Sequence, residues 1–205
     1  MPLQLYDKEK IIHACFNVFA QHGYVNTSTA MLAEAAGISK ALIFHHFKSK
    51  KYLYLSVLDR CIEKIKNEIG FDILLENYDF FEAKEKFSVI KFNYYKSNPN
   101  IMSIMTEAFY STPDELKAEV QIKYGKLLAE SDKEWRRAFE KVSLKKGVDR
   151  DKAFRLVMNT LYYLDMKYFS NLKNNDDLEE TRLHEFIEER SSFLSMIRFG
   201  IEQLS

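Results

Sequence analysis

An all-α fold is what this 205-residue sequence predicts, on two features that it has and one that it lacks. Apolar residues recur at three- and four-residue spacing along most of the chain, the period of a helix with one buried face. Six glycines and three prolines are too few for the tight turns of an all-β protein. No alternating strand pattern, internal repeat or low-complexity tract occurs. About nine helices are expected, three short ones forming an N-terminal domain over 1–50 and the rest a larger domain over 51–205. The 46% hydrophobic content is ample for both cores.

The first helix is expected over 7–23. Asp7 is a helix-capping residue type, Ile11, Ile12, Cys15, Phe16 and Phe19 form one stripe, and Gly23 suits the position just past a helix end. The second helix, capped by Thr27 or Ser28, turns Leu32, Ala33 and Ala36 inward, where small side chains let helices approach closely. Gly37 permits the positive φ of a tight turn, Ile38 plugs the core, and Ser39 caps a third helix that buries Ile43 and Phe47. On or near its outer face that third helix keeps Lys40, Ala41, Leu42, Phe44, His45 and His46. An aromatic, an aliphatic and several basic side chains exposed together suit a groove better than plain solvent. Two short helices joined by a glycine turn describe a helix-turn-helix, which delivers its second helix into the DNA major groove.

Ser49 caps a longer fourth helix carrying Leu53, Val57, Leu58, Cys61, Ile62, Ile65 and Ile69 and ending at Gly70. Further helices are expected over 80–97, stopped by Asn98-Pro99, and over 101–110, stopped by Thr112-Pro113. A long one over 114–142 carries the stripe Leu116, Val120, Tyr124, Leu127, Leu128, Trp135, Ala138 and Phe139, and Lys145-Lys146-Gly147 closes it. Asp149 caps a helix over 149–172. A last helix runs from 181 almost to the end.

Charge is balanced overall, 30 basic against 30 acidic residues, but not evenly spread. Residues 1–60 hold seven Lys/Arg and four Asp/Glu, a surplus of +3, which the remaining 23 against 26 offset. Between Glu34 and Asp59 there is no acid, only four lysines and two histidines. That local basic surplus points to nucleic-acid contact. Cys15 and Cys61 fall on apolar helical positions and are expected as reduced core residues. No apolar run approaches the ~20 residues that span a bilayer, so no membrane partner is expected. The start MPLQLYDKEK carries no hydrophobic leader segment, and a cytoplasmic location is expected. Adjacent His45 and His46 point about 100° apart on a helix, a poor metal site, and no HExxH, CxxC or spaced acid/His set occurs. Neither metal nor cofactor is expected, and the lack of a nucleophile–base pair argues against an enzyme.

The residue order resembles the DNA-binding region of the tetracycline-repressor (TetR) family over residues 8–57. The likeness lies in the apolar first helix, Gly23-Tyr24, Thr27-Ser28, Leu32-Ala33, Ala35-Ala36-Gly37-Ile38-Ser39, Ile43-Phe44, His46-Phe47, Ser49-Lys50 and Leu53. It implies an N-terminal three-helix DNA-binding domain plus a C-terminal helical effector-binding and dimerisation domain. It also implies a ligand-responsive regulator, usually a repressor, released from a palindromic double-stranded operator by a small molecule. A different reading is a DNA-bound protein-interaction factor whose ligand cavity is vestigial. Carried over by residue, the resemblance implies that Lys40, Ala41 and Leu42 reach base edges and that Phe44, His45 and His46 line the groove wall. Lys50 and Thr29 would hold backbone phosphates. Three departures stand out: Phe44 where Tyr is usual, Ala41 for the frequent Gly, and Lys51 for the usual Glu. A lysine in a first turn opposes the helix dipole; Lys51 either offsets this on a DNA phosphate or points into water.

For the effector, the resemblance implies a cavity among the aromatics and methionines of the C-terminal part; Met105, Phe109, Tyr124, Met158, Tyr162 and Asp165 are the candidates. Asp165 and Glu107 interrupt apolar runs, and each either orients a ligand or bonds a neighbouring hydroxyl or water. The family's last two long helices form a four-helix bundle with a second copy. Here the final helix offers Phe186, Phe193, Met196, Ile197, Phe199, Gly200 and Leu204 for a homodimer, with Phe193, Ile197 and Leu204 on one face.

Overall fold

The computed structural model describes residues 8–69, 71–170 and 180–203. Its helices are α1 (Lys8–Asn26), α2 (Thr29–Ala35), α3 (Lys40–Phe47), α4 (Lys50–Ile69) and α5 (Phe71–Asn77). After these come α6 (Phe80–Ser97), α7 (Pro99–Phe109), α8 (Asp114–Glu140), α9 (Arg150–Ser170) and α10 (Glu180–Ile201). The nine expected helices are all there. The additional one, α5, spans seven residues, about two turns, too short for a 3.6-residue period to register. Pro99 opens α7 rather than merely ending α6, since a first-turn proline loses no hydrogen bond. Among the described residues there is no strand, only an isolated bridge between Leu144 and Glu202. The expected roles of Asp7, Gly70, Leu172 and Leu204 lie outside the described residues.

By compactness the chain forms two units. One holds α1 to α4 through Glu68 together with Asn98–Gln121; the other holds Ile69–Ser97 and the chain from Ile122 onward. Thus α7 and the first turns of α8 pack with the N-terminal helices, while α8 continues into the second unit.

In the first unit Ile11, Ile12, Cys15 and Phe19 of α1, Leu32 and Ala33 of α2, and Ile43 and Phe47 of α3 are all buried. With them lie Leu53, Tyr54, Val57, Leu58 and Cys61 of α4. Burial pushes the thiols of Cys15 and Cys61 up to about 12, so both stay protonated and unreactive. Helix α1 breaks at Gly23, where φ is 69° and ψ 168°. The break turns Tyr24 into the core against Tyr54, with ring centroids 5.3 Å apart.

The second unit is built on Phe80, Phe81, Trp135, Phe139, Phe154 and Leu194. Lys145 N–H donates to Ile201 O (2.8 Å) and Gln203 N–H to Ser143 O (2.8 Å), fixing the α8–α9 turn to the end of α10. Three apolar placements differ from expectation. Leu128 is 49% exposed, because α8 turns that face outward between Tyr124 and Trp135. Of the residues offered for a dimer face, Ile197 packs partly against its own core and Phe186 is buried against Phe92, ring centroids 4.9 Å apart. Phe193, Met196 and Phe199, offered with them, are exposed on α10, as are Leu156, Tyr162 and Tyr163 on α9.

Candidate nucleic-acid interface

Local chemistry explains how the chain builds α2, the turn and α3. Ser28, not Thr27, caps α2: its hydroxyl accepts Met31 N–H at 3.2 Å, while Thr27 donates to Gly23 O at 2.6 Å. Gly37 takes φ 64°, as a left-handed turn requires, and Ile38 N–H reaches Ala33 O at 3.0 Å. Ser39 caps α3 by accepting Leu42 N–H at 3.2 Å. Leu32 and Ile43, both buried, then lock the two helices together.

The outer side of α3 presents the side chains expected of it. Lys40, Ala41, Phe44 and His45 are exposed, and Leu42 and His46 are partly so. Phe44 keeps 47% of its surface open, a large apolar ring with no reason to face water. His45 and His46 meet edge to face at 5.4 Å. Thr29 is the first residue of α2 and half-buried. Sequence reasoning passed over two further exposed groups. Lys48 ends α3 at φ 63°, a left-handed cap in a non-glycine residue, and Tyr52 stands 51% exposed on the first turn of α4. The strained φ at Lys48 leaves no trace in residue type.

Two of the expected phosphate contacts have partners within the protein. Lys50 Nζ donates to Tyr24 O at 2.8 Å and Thr27 O at 3.0 Å, and lies 4.2 Å from the centre of the Tyr24 ring. It ties off the carbonyls where α1 breaks, so most of its hydrogen-bonding capacity is used internally. Lys51 pairs with Glu119 of α8, which answers the dipole question: the offsetting carboxylate belongs to the protein. Tyr24 adds a third link, its hydroxyl donating to Glu115 at 3.0 Å. Burial and then that hydrogen bond push the phenol up to about 12. Glu107 of α7 accepts Tyr24 N–H at 2.7 Å, and a Cβ at Gly23 would stand 2.8 Å from its Oε1. Burial raises the Glu107 carboxyl above its ordinary value against the pull of Tyr24 N–H, the Tyr54 hydroxyl and Lys50. Three acids from α7 and α8 (Glu107, Glu115 and Glu119) therefore hold the end of α1 and the start of α4.

Residues 11–57 match the family model described as bacterial regulatory proteins, tetR family. These residues are a DNA-binding region of the TetR family. The negative transcriptional regulator IcaR of the icaADBC biofilm operon in Staphylococcus aureus is 32% identical over 71 residues, covering 35% of this chain and 38% of IcaR. The uncharacterised HTH-type regulator YerO of Bacillus subtilis is 30% identical over 145 residues, covering 70% of this chain and 48% of YerO. The chain thus spans less than half the length of either relative. Among solved structures, FadR of Bacillus subtilis in complex with stearoyl-CoA superposes with a TM-score of 0.61 at 17% identity, over 93% of this chain and 97% of FadR. At that identity the likeness is one of fold.

The six expected effector residues are divided between the two units. Met105 and Phe109 lie on α7 in the first unit, while Tyr124, Met158, Tyr162 and Asp165 lie in the second. Tyr162 is 56% exposed. Asp165 is taken by Lys91 Nζ at 2.8 Å and Arg190 Nε at 3.0 Å. Burial pushes its carboxyl up, but the two cations outweigh that and hold it below the usual range. Glu107 likewise serves the protein's own backbone. An open groove of about 400 Å³ between α9 and α10, lined by Leu164, Lys167, Tyr168 and Phe186 among others, includes none of the six. An apolar run interrupted by an acid reads the same whether its partner is a ligand or an arginine about 25 residues further on, which is why the sequence alone left the role of Asp165 open and did not point to Lys91 or Arg190. Among the described residues no group of three or more His, Cys, Asp or Glu could hold a metal, and no helix is long and apolar enough to cross a membrane.

Proposed function

We propose that this chain is a ligand-responsive transcriptional repressor that binds a palindromic operator as a homodimer and leaves it when a small molecule binds. The observation that carries the reading is the outward side of α3, where Lys40, Ala41, Phe44 and His45 stand exposed on a helix whose other side is locked by Ile43 and Phe47. Lys40 and Leu42 would read base edges, with the leucine against a thymine methyl. Phe44, His45 and His46 would line the groove, and Thr29 would meet a phosphate. Lys48 and Tyr52, exposed beside α3, take over the phosphate role in place of Lys50 and Lys51, whose ammonium groups serve the fold.

The apolar side chains exposed on α9 and α10 support dimerisation, and two copies would set two recognition helices about 34–36 Å apart, one turn of duplex. The relative IcaR is described as a negative regulator and FadR was solved with stearoyl-CoA, in line with repression and with a small-molecule effector. The route for release is α8. Its first turns carry Glu115 and Glu119, which grip Tyr24 and Lys51, and the same continuous helix carries Trp135 and Phe139 in the second core. A ligand that binds one setting of α8 better than the other shifts the reading head by that difference in affinity. Footprinting on the DNA flanking the chain's own gene tests the reading. Two protected half-sites one turn apart are expected; uniform, sequence-independent protection would refute it.

A further inference from the structure

The core of the second unit holds a surplus of buried positive charge. Lys84 is 5% exposed, Arg190 6%, and the Lys91 side chain 12%, yet among the described residues the one buried carboxylate beside them is Asp165, 7% exposed. Asp165 is fully engaged by Lys91 and Arg190. Arg190 also donates to the Ser88 hydroxyl, which donates in turn to Lys84 O at 2.8 Å. The Lys84 ammonium stands outside this chain. It lies 3.6 Å from the centre of the Trp135 indole ring and 5.9 Å from that of Phe80. Among the described residues it has no hydrogen-bond acceptor and no ion-pair partner. The charges that face it are Asp165 on α9, Arg190 on α10, Lys91 on α6 and Asp132 on α8. A buried cation held only by ring faces is among the least favourable arrangements a core can keep, unless something else supplies the anion.

We propose that Lys84, with Arg190 and Lys91 behind it, forms an anion site that takes the carboxylate of a small apolar acid, the acyl or aryl tail lying among Trp135, Phe80 and Phe87. The proposal rests on the reading that the second unit takes a small molecule, and it names that molecule's class. A carboxylate supplies the acceptor that Lys84 lacks and brings the cluster nearer to neutrality. Its tail meets rings rather than polar groups: Phe80 and Trp135 are buried, and Phe87, only partly buried, packs on Trp135 at 5.7 Å. Phe87 and the equally half-buried Met158 are the adaptable edge through which a ligand would enter. Burial first, and then Arg190, hold the Lys84 ammonium well below its ordinary pKa. A carboxylate arriving beside it opposes that effect.

The test uses the purified full chain without DNA, titrated with octanoate and with the neutral octanamide. At a hundredfold excess over its Kd, octanoate is expected to raise the melting temperature by about 5–10 °C, and octanamide by less than about 1 °C. Lys84→Met should melt no lower than the parent chain and bind octanoate at least ~10-fold more weakly, the scale of one lost charged contact. Equal shifts by acid and amide overturn the proposal, as does an unaltered octanoate response in Lys84→Met. So does silence across the series from acetate to decanoate with benzoate, or inorganic phosphate binding as well as octanoate. Should Lys84→Met fail to fold, the comparison of octanoate with octanamide on the parent chain decides, and equal shifts are fatal. None of these outcomes touches DNA recognition or ligand release, which footprinting with and without ligand reads separately.

Discussion

Lys50 shows how residue type and residue role part company. A lysine at the start of a helix next to a DNA-reading element reads as a phosphate clamp, and its chemistry would allow it. Its ammonium instead satisfies the carbonyls of Tyr24 and Thr27. Lys50→Met should therefore destabilise the DNA-free chain by about 1–3 kcal/mol, the cost of leaving such groups unpaired, in a urea titration. An unchanged midpoint with a shallower salt dependence of DNA binding would return Lys50 to the phosphate. The glycines divide in a similar way. At Gly37, φ 64°, a Cβ would meet nothing within 4 Å, whereas at Gly23, φ 69°, it would meet Glu107 at 2.8 Å. Gly37→Ala should cost about 1 kcal/mol of backbone strain. Gly23→Ala should cost more, because Glu107 must also surrender its hydrogen bond to Tyr24. Equal costs by thermal melting would mean that Glu107 moves aside freely.

At the scale of elements, what was legible followed local chemistry. Caps at Ser28 and Ser39, the left-handed turn at Gly37 and the period of α1 and α4 depend on residues within one or two turns, so sequence carries them directly. The outward side of α3 was legible for the same reason, since Ile43 and Phe47 fix which side is buried. Partners far along the chain were not legible. Nothing in residues 50–51 marks Glu119, and nothing about Asp165 marks Arg190. The ladder joining α6, α9 and α10 through Lys91, Asp165 and Arg190 gives a sharp expectation. Asp165→Asn would leave two buried cations facing an uncharged amide, at about 3–5 kcal/mol. Because the folded carboxyl titrates below the unfolded value near 3.8, its stabilisation is present above that value and lost as pH falls through the folded pKa. Denaturant titrations should show the parent chain converging on Asp165→Asn as pH drops through that window. A constant gap would place the cost in packing rather than charge.

On the scale of the whole molecule, the fold class was legible because helical periodicity fills the chain. The division into compact units was not, because α7 joins the N-terminal helices only in three dimensions. Of the residues expected on a dimer face, α10 exposes Met196 at 66% and Phe199 at 59%, while Ile197 turns partly inward. Met196→Glu should give a folded monomer with weak operator binding, since like carboxylates would meet in the interface; sedimentation showing an intact dimer would place that interface elsewhere. The central claim remains that the exposed side of α3 reads DNA sequence. Its most direct test is selection of bound duplexes from a random pool by the parent chain and by Lys40→Ala. The account predicts an inverted repeat with half-sites one turn apart for the parent, and the same repeat with one position relaxed in each half-site for Lys40→Ala. A parent chain that enriches no motif, or a Lys40→Ala chain whose motif is identical at every position, would contradict it.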